Sequence, residues 1–137
     1  MQKEKADLGK IRLNKNKLRQ VLSEIQYNVT QEGGTEPPFS NDNFSKELGS
    51  FHCICCDQEL FLSESKFESG TGWPSFFKAA NNSALELIPD FSYMMVRTEA
   101  KCSRCAAHLG HVFDDGPQPT RMRFCINGSA LNFKKRV

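Results

Sequence analysis

Two Cys-x-x-Cys pairs, Cys53/Cys56 and Cys102/Cys105, constrain this chain more than any other feature. A pair at that spacing on a tight knuckle delivers two sulfurs to one ion, and two pairs complete the thiolate tetrahedron of a structural zinc site. Forty-five residues separate the pairs, more than a zinc ribbon uses. An ion held by Cys53, Cys56, Cys102 and Cys105 would therefore staple two distant parts of a fold, and that closure contributes stability directly. The competing readings are a redox-active pair or two disulfides; neither knuckle lies in a βαβ pattern, which weakens a thioredoxin-like option. His52 and Cys55 adjoin the first knuckle, but only Cys53/Cys56 keeps the spacing, which leaves Cys55 as a small half-buried hydrophobe. Ala106 follows the second knuckle where glycine is common, a hint of mild backbone strain.

With 137 residues the chain can bury one real core and not two. Six cysteines in a cytosol-like sequence point to metal binding or catalysis more than to a disulfide framework. No stretch is apolar enough for a membrane span, and no apolar run follows the N-terminal lysines as a secretory signal requires. A cytoplasmic protein is the expectation, although a processed organelle protein would read the same way. The net charge of +2 hides an asymmetry: residues 1–20 carry seven Lys/Arg against two Asp/Glu. A basic arm can touch nucleic acid, but no aromatic is interleaved with these cations, so residues 1–22 read as a solvated, partly ordered leader to one domain over 23–137.

Residues 8–25 have a loose helical spacing broken by Asn14 and Asn16, and Ser23–Gln26 matches a capping box that starts a short helix. Glu32-Gly-Gly-Thr-Glu-Pro-Pro38 is neither helix nor central strand, and reads as ordered loop. Beyond residue 50 short apolar runs alternate with turns: Ser50–Ile54, Glu59–Leu62, Leu85–Ile88, Tyr93–Thr98, His111–Phe113, Met122–Asn127 and Leu131–Phe133. That texture predicts a mainly antiparallel β domain or small barrel with short N-terminal helices.

Cys125 stands outside both knuckles. Strand alternation puts Arg123, Cys125 and Asn127 on one face of 122–127, with Met122, Phe124 and Ile126 on the other. A neighbouring cation stabilises thiolate, the reactive form, although an inert buried cysteine remains the alternative. His108 and His111 follow the second knuckle and can exchange a proton near neutral pH, or simply be structural. The only tryptophan, Trp73, lies between Gly72 and Pro74, where a rigid aromatic wall can receive a polarisable methyl thioether or pack in the core.

Thr30-Gln-Glu-Gly-Gly-Thr-Glu-Pro-Pro-Phe-Ser40, Ser69-Gly-Thr-Gly-Trp-Pro-Ser-Phe76, His108-Leu-Gly-His-Val-Phe-Asp-Asp-Gly-Pro117 and Arg123-Phe-Cys-Ile-Asn-Gly128 resemble the methionine-R-sulfoxide reductases of the B type, over roughly residues 23–131. The resemblance implies two antiparallel sheets with N-terminal helices, one structural zinc, and reduction of methionine R-sulfoxide, free or in proteins, as a repair of oxidative damage. It makes Cys125 the nucleophile and Trp73 the wall around the substrate methyl. It places His108, His111, Asp115, Arg123 and Asn127 as the polar residues around them, with His111 the preferred proton donor. Cys125 would pass through a sulfenic acid. Thr71 stands where many relatives carry a resolving cysteine, so an external thiol such as thioredoxin is expected to regenerate a monomeric enzyme, with Cys55 a poor substitute. No nucleic acid or membrane partner is implied.

Two rivals remain at this stage. A zinc-ribbon binding module would use the basic leader as a nucleic-acid arm, but Asp57 and Glu59 flank the first knuckle beside Lys101 and Arg104 of the second, so no basic stripe accompanies it. A thiol–disulfide oxidoreductase would need a knuckle free of metal. Neither gives the Trp73 loop or the Cys125 face a purpose.

Overall fold

A computed structural model describes residues 11–136; the leader lysines Lys3, Lys5 and Lys10 lie outside the described residues. Among the described residues two helices precede an antiparallel β body. The first, α1 (Lys15–Val21), begins where the helical spacing was read as broken, because Asn14 is its N-cap and accepts from Lys17 N at 3.1 Å. Asparagine interrupts apolar periodicity yet is a favoured cap. Leu18 buries this helix against the domain and the Arg19 guanidinium lies 4.3 Å over the Tyr27 ring. In α2 (Glu24–Glu32) the expected capping box is complete: Ser23 Oγ accepts from Gln26 N, and Gln26 Oε1 accepts from Ser23 N. Residues 33–48 then run as loop.

The strands are β1 (Gly49–Cys53), β2 (Glu59–Leu62), β3 (Lys66–Phe67), β4 (Ser75–Phe76), β5 (Leu85–Asp90), β6 (Arg97–Cys102), β7 (His108–Phe113), β8 (Arg123–Ile126) and β9 (Leu131–Lys135). They form two antiparallel sheets, in the orders β2-β1-β9 and β3-β4-β8-β7-β6-β5. The two-residue strands β3 and β4 have no periodicity to read and escaped the sequence. The run at Leu85–Ile88 extends further than its apolar residues, since β5 continues through Pro89 and Asp90, paired with Thr98 and Arg97. β5 is an edge strand, where a missing N–H costs no ladder bond.

The expected strand at 93–98 is mostly wrong. Ser92–Met94 forms one 3₁₀ turn, Tyr93 and Met94 both have φ of 57°, and β6 starts only at Arg97. The apolar residues there are exposed, with only Met95 about half covered, so hydrophobicity without packing builds no strand.

A phenylalanine spine joins the sheets. Phe51 of β1 and Phe61 of β2, both fully buried, pack on Phe76 of β4, with Phe61 and Phe76 stacked at 4.2 Å and 12° and Phe51 edge-on at 5.1 Å. Phe124 of β8 meets Phe61 edge-on at 5.7 Å. Offset and edge-on rings add attraction beyond the area they bury. The opposite side of β8 is thereby left for Cys125.

Candidate functional site

The two knuckles are built alike. Cys53 O accepts from Asp57 N and Cys102 O from Ala106 N, each at 2.8 Å, and the residue after each second cysteine is left-handed, Asp57 at φ 71° and Ala106 at φ 66°. The strain expected at Ala106 is therefore present, and it is the price both knuckles share for pointing two thiols inward. The Sγ atoms of Cys53, Cys56, Cys102 and Cys105 lie within 4.8 Å of one another, with Cys53–Cys105 at 3.6 Å and Cys56–Cys102 at 3.5 Å. Zinc–thiolate bonds of about 2.3 Å in a tetrahedron need sulfurs about 3.8 Å apart, so this quartet fits the ion. Cys53 ends β1 in one sheet and Cys102 ends β6 in the other, so the site joins the sheets as the spacing predicted. Their mutual hydrogen bonds split the acidities: Cys102 pushes the Cys53 thiol up, and Cys105 draws Cys102 down. His52 is outside the cluster, bonded through Nε2 to Ser50 Oγ and through Nδ1 to Asp57 O. Cys55 is half-buried and receives Gln31 Nε2 at 3.4 Å; that glutamine lies outside the pocket that contains Cys125.

That pocket, about 140 Å³ in volume, is lined by Thr35, Trp73, Arg97, Gly110, His111, Phe113, Cys125 and Asn127. Cys125 pairs with Ser75 on one side and with His111 on the other. Gly110 makes this closeness possible, because a Cβ there would sit 2.0 Å from Cys125 O. Leu109 is an extra residue at a bulge in β7, where Lys101 pairs with His108 and Ala100 with Gly110. The bulge brings His108 and His111, three apart in sequence, to ring centroids 5.5 Å apart.

The polar residues anticipated around Cys125 divide between the pocket and its supports. His111 lines the pocket, its Nε2 2.7 Å from Asp90 Oδ2. His108 is buried outside the lining, with Nδ1 2.6 Å from Glu99 Oε2; burial pushes its ring below the ordinary 6.5 despite that carboxylate. Asp115 is exposed and does not line the pocket; it grips Arg123 through Nε at 2.8 Å and a second nitrogen at 3.2 Å, and Arg123 stacks 4.4 Å over Phe113. Asn127 lines the pocket but its amide is spent on the backbone, accepting from Glu36 N and donating to Leu109 O, both at 3.0 Å.

The Cys125 thiol is not the ready thiolate that an adjacent cation suggested. Burial pushes it above the ordinary 9.0, and Arg123 and Thr71, the latter through a hydrogen bond, pull it only part of the way back. Thr71 belongs to a hydroxyl chain: Ser69 Oγ is 2.8 Å from Thr71 Oγ1 and 2.7 Å from Ser75 Oγ.

Several contributors had no sequence signal. Glu36, 1% exposed, accepts Gly128 N and Ser129 N at 2.8 Å each and Asn41 Nδ2 at 3.3 Å. Its backbone N holds Asn127, and its carbonyl accepts Trp73 Nε1 at 3.0 Å. A glutamate in a loop is ordinarily solvated, so only tertiary contact reveals this one as a keystone. Arg97, with a buried Nε that has no partner among the described residues, and Asp90 reach the site from β6 and β5, equally without a local signal.

Residues 22–135 match the family model described as the SelR domain. The chain belongs to the SelR domain family. Three relatives of this SelR domain are each named peptide methionine sulfoxide reductase MsrB. That of Photorhabdus laumondii is 54% identical over 117 residues, covering 85% of this chain and 86% of its own. That of Thioalkalivibrio sulfidiphilus is 53% identical over 118 residues, with the same two coverages. That of Methanosarcina barkeri is 54% identical over 117 residues, covering 85% and 82%. Among solved structures, the Mis18 "Yippee-like" domain superposes with a TM-score of 0.53 at 18% identity, covering 66% of the SelR chain and 99% of its own, a likeness of fold alone.

Proposed function

We propose that this SelR domain reduces methionine R-sulfoxide, free or within proteins, to methionine, with Cys125 as the nucleophile. What carries the reading is the convergence of Cys125, Trp73 and His111 on one side-chain-sized pocket in a chain about half identical to named methionine sulfoxide reductases. Trp73, fixed through its indole N–H on Glu36 O, forms the wall against which the methyl group lies. Asp90 orients His111, the proton donor to the sulfoxide oxygen. Arg123, itself aimed by Asp115, and Thr71 favour the ionised thiol. His108 is a positioning residue that packs against His111.

Cys125 thiolate attacks the sulfoxide sulfur while His111 protonates the oxygen, which forms a bond between the two sulfurs; the hydroxyl then passes to the Cys125 sulfur as the S–S bond and the substrate S–O bond break, releasing methionine and leaving Cys125 as a sulfenic acid. An external thiol then attacks that sulfur with loss of water, and a second thiol reduces the mixed disulfide. A hydroxyl at Thr71 cannot take this role. The four knuckle thiols would hold one zinc, which when bound supplies a cross-link between the sheets and no step of the reaction. The domain is read as a cytoplasmic monomer, and among the described residues no helix is long and apolar enough to cross a membrane.

The test is steady-state turnover of separated R and S sulfoxide epimers with dithiothreitol and with thioredoxin, for wild type and Cys125→Ser. Turnover of the R epimer alone, reduced about a thousandfold or more by the substitution, is the expected result. Residual activity near wild type in Cys125→Ser would refute the assignment.

A further inference from the structure

The connection between β5 and β6 is a run of exposed large hydrophobics: Phe91 68%, Tyr93 83%, Met94 102%, Met95 46% and Val96 80% exposed. Contiguous apolar surface of this kind marks an interaction site far more often than scattered single residues do. Both of its ends are tied to the pocket. Asp90 bonds His111 at 2.7 Å, and Arg97 lines the pocket while reaching Asp90 Oδ2 and Ser92 Oγ, each at 3.5 Å. Phe39, 76% exposed, packs on Gly72, the residue before Trp73, its ring 2.7 Å from where a Cβ there would sit. Phe39, Tyr93 and Met94 all hold left-handed φ angles, which bulky residues rarely adopt. The exposed apolar run therefore starts from a residue bonded to His111 and ends on one that lines the pocket.

A cavity of about 140 Å³ takes one side chain and nothing of its neighbours. A polypeptide substrate must therefore lay its flanking residues over the rim. Residues 91–96 carry no charge, so the flanks that gain most there are apolar, such as those around a core methionine exposed by loosening of its protein. We infer that residues 91–96 form a docking surface for apolar polypeptide flanking a methionine sulfoxide, an inference that rests on the reductase reading of the pocket.

The test compares three substrates of R configuration with dithiothreitol as reductant: N-acetylmethionine sulfoxide, a decapeptide with Leu, Val and Phe around one sulfoxide, and a decapeptide with Ser, Gly and Asp around it. Wild type should favour the apolar peptide about tenfold in kcat/KM, the scale of burying most of one apolar side chain. Tyr93→Ser, Val96→Ser and the double variant should lose most of that preference through KM, with N-acetylmethionine sulfoxide kinetics unchanged. Equal rates on the two peptides in wild type would overturn the inference, as would a preference that survives the double variant. So would a defect seen only when thioredoxin replaces dithiothreitol, which would make the surface a reductant dock, or a dimer in sedimentation that the variants dissociate. Should wild type fail on N-acetylmethionine sulfoxide, the reductase reading falls. Trp73 fluorescence titration with the apolar peptide then judges the surface separately: tighter binding than the polar peptide supports it, and equal binding overturns it.

Discussion

Replacing Glu36 should damage this protein far more than its place in a Gly/Pro loop suggests. The carboxylate is 1% exposed and accepts two backbone N–H groups, Gly128 and Ser129, at 2.8 Å. Hydrogen bonds to a charged acceptor contribute about 1.5–3 kcal/mol each, and a buried donor left unpaired loses its full solvation. Burying a carboxylate is itself costly, and swapping a buried ion pair for apolar residues can be neutral. That escape is closed here, because the partners are main-chain N–H groups that no second substitution removes. Glu36→Gln keeps one good acceptor and should cost about 1.5–3 kcal/mol; Glu36→Ala loses both and should cost about 3–6 kcal/mol, a large share of the 5–15 kcal/mol typical of a domain. Urea denaturation of the zinc-loaded protein, followed by the single tryptophan Trp73, measures both. The Glu36 backbone also holds Asn127 and the Trp73 indole, so Glu36→Gln should lower kcat/KM at temperatures where the protein is still fully folded. A Glu36→Gln variant within about 0.5 kcal/mol of wild type, the usual spread for inconsequential surface changes, would refute the reasoning.

Three further outcomes follow from the site. Because burial holds the Cys125 thiol above 9.0, its alkylation by iodoacetamide at limiting substrate-free conditions should rise about tenfold per pH unit from pH 7 to at least pH 9. Arg123→Met, which removes a charge favouring thiolate, should move the midpoint higher still; a plateau by pH 8 would contradict both. Chelation of zinc from the zinc-loaded protein, or Cys102→Ser, should open a closure of roughly fifty residues, worth about 4 kcal/mol by loop entropy, so the melting temperature should fall and recover on adding zinc to the wild type; an unchanged melt would mean the quartet is not a staple. Ser69 links Thr71 to Ser75, the residue paired with Cys125, so Thr71→Cys should yield a disulfide between the introduced thiol and Cys125 after one turnover, detected by peptide mapping, whereas its absence would show that the two positions cannot meet.

The sequence alone determined what is local or is counted in cysteines. The capping box at Ser23, the knuckle thiols and the apolar alternation of 122–127 each depend on near neighbours or on a fixed ligand chemistry, so they are readable without a fold. It misjudged Tyr93–Thr98 because β patterning reports hydrophobicity, and only packing decides whether a hydrophobic run is buried. Tertiary structure alone decided that a bulge at Leu109 brings His108 beside His111. It decided that Asp90, two strands away from β7, orients His111. It also decided that Cys125, beside an arginine in sequence, is buried enough for desolvation to outweigh that charge. Burial and long-range register are sums over contacts between residues far apart in the chain, and no window of sequence contains both partners.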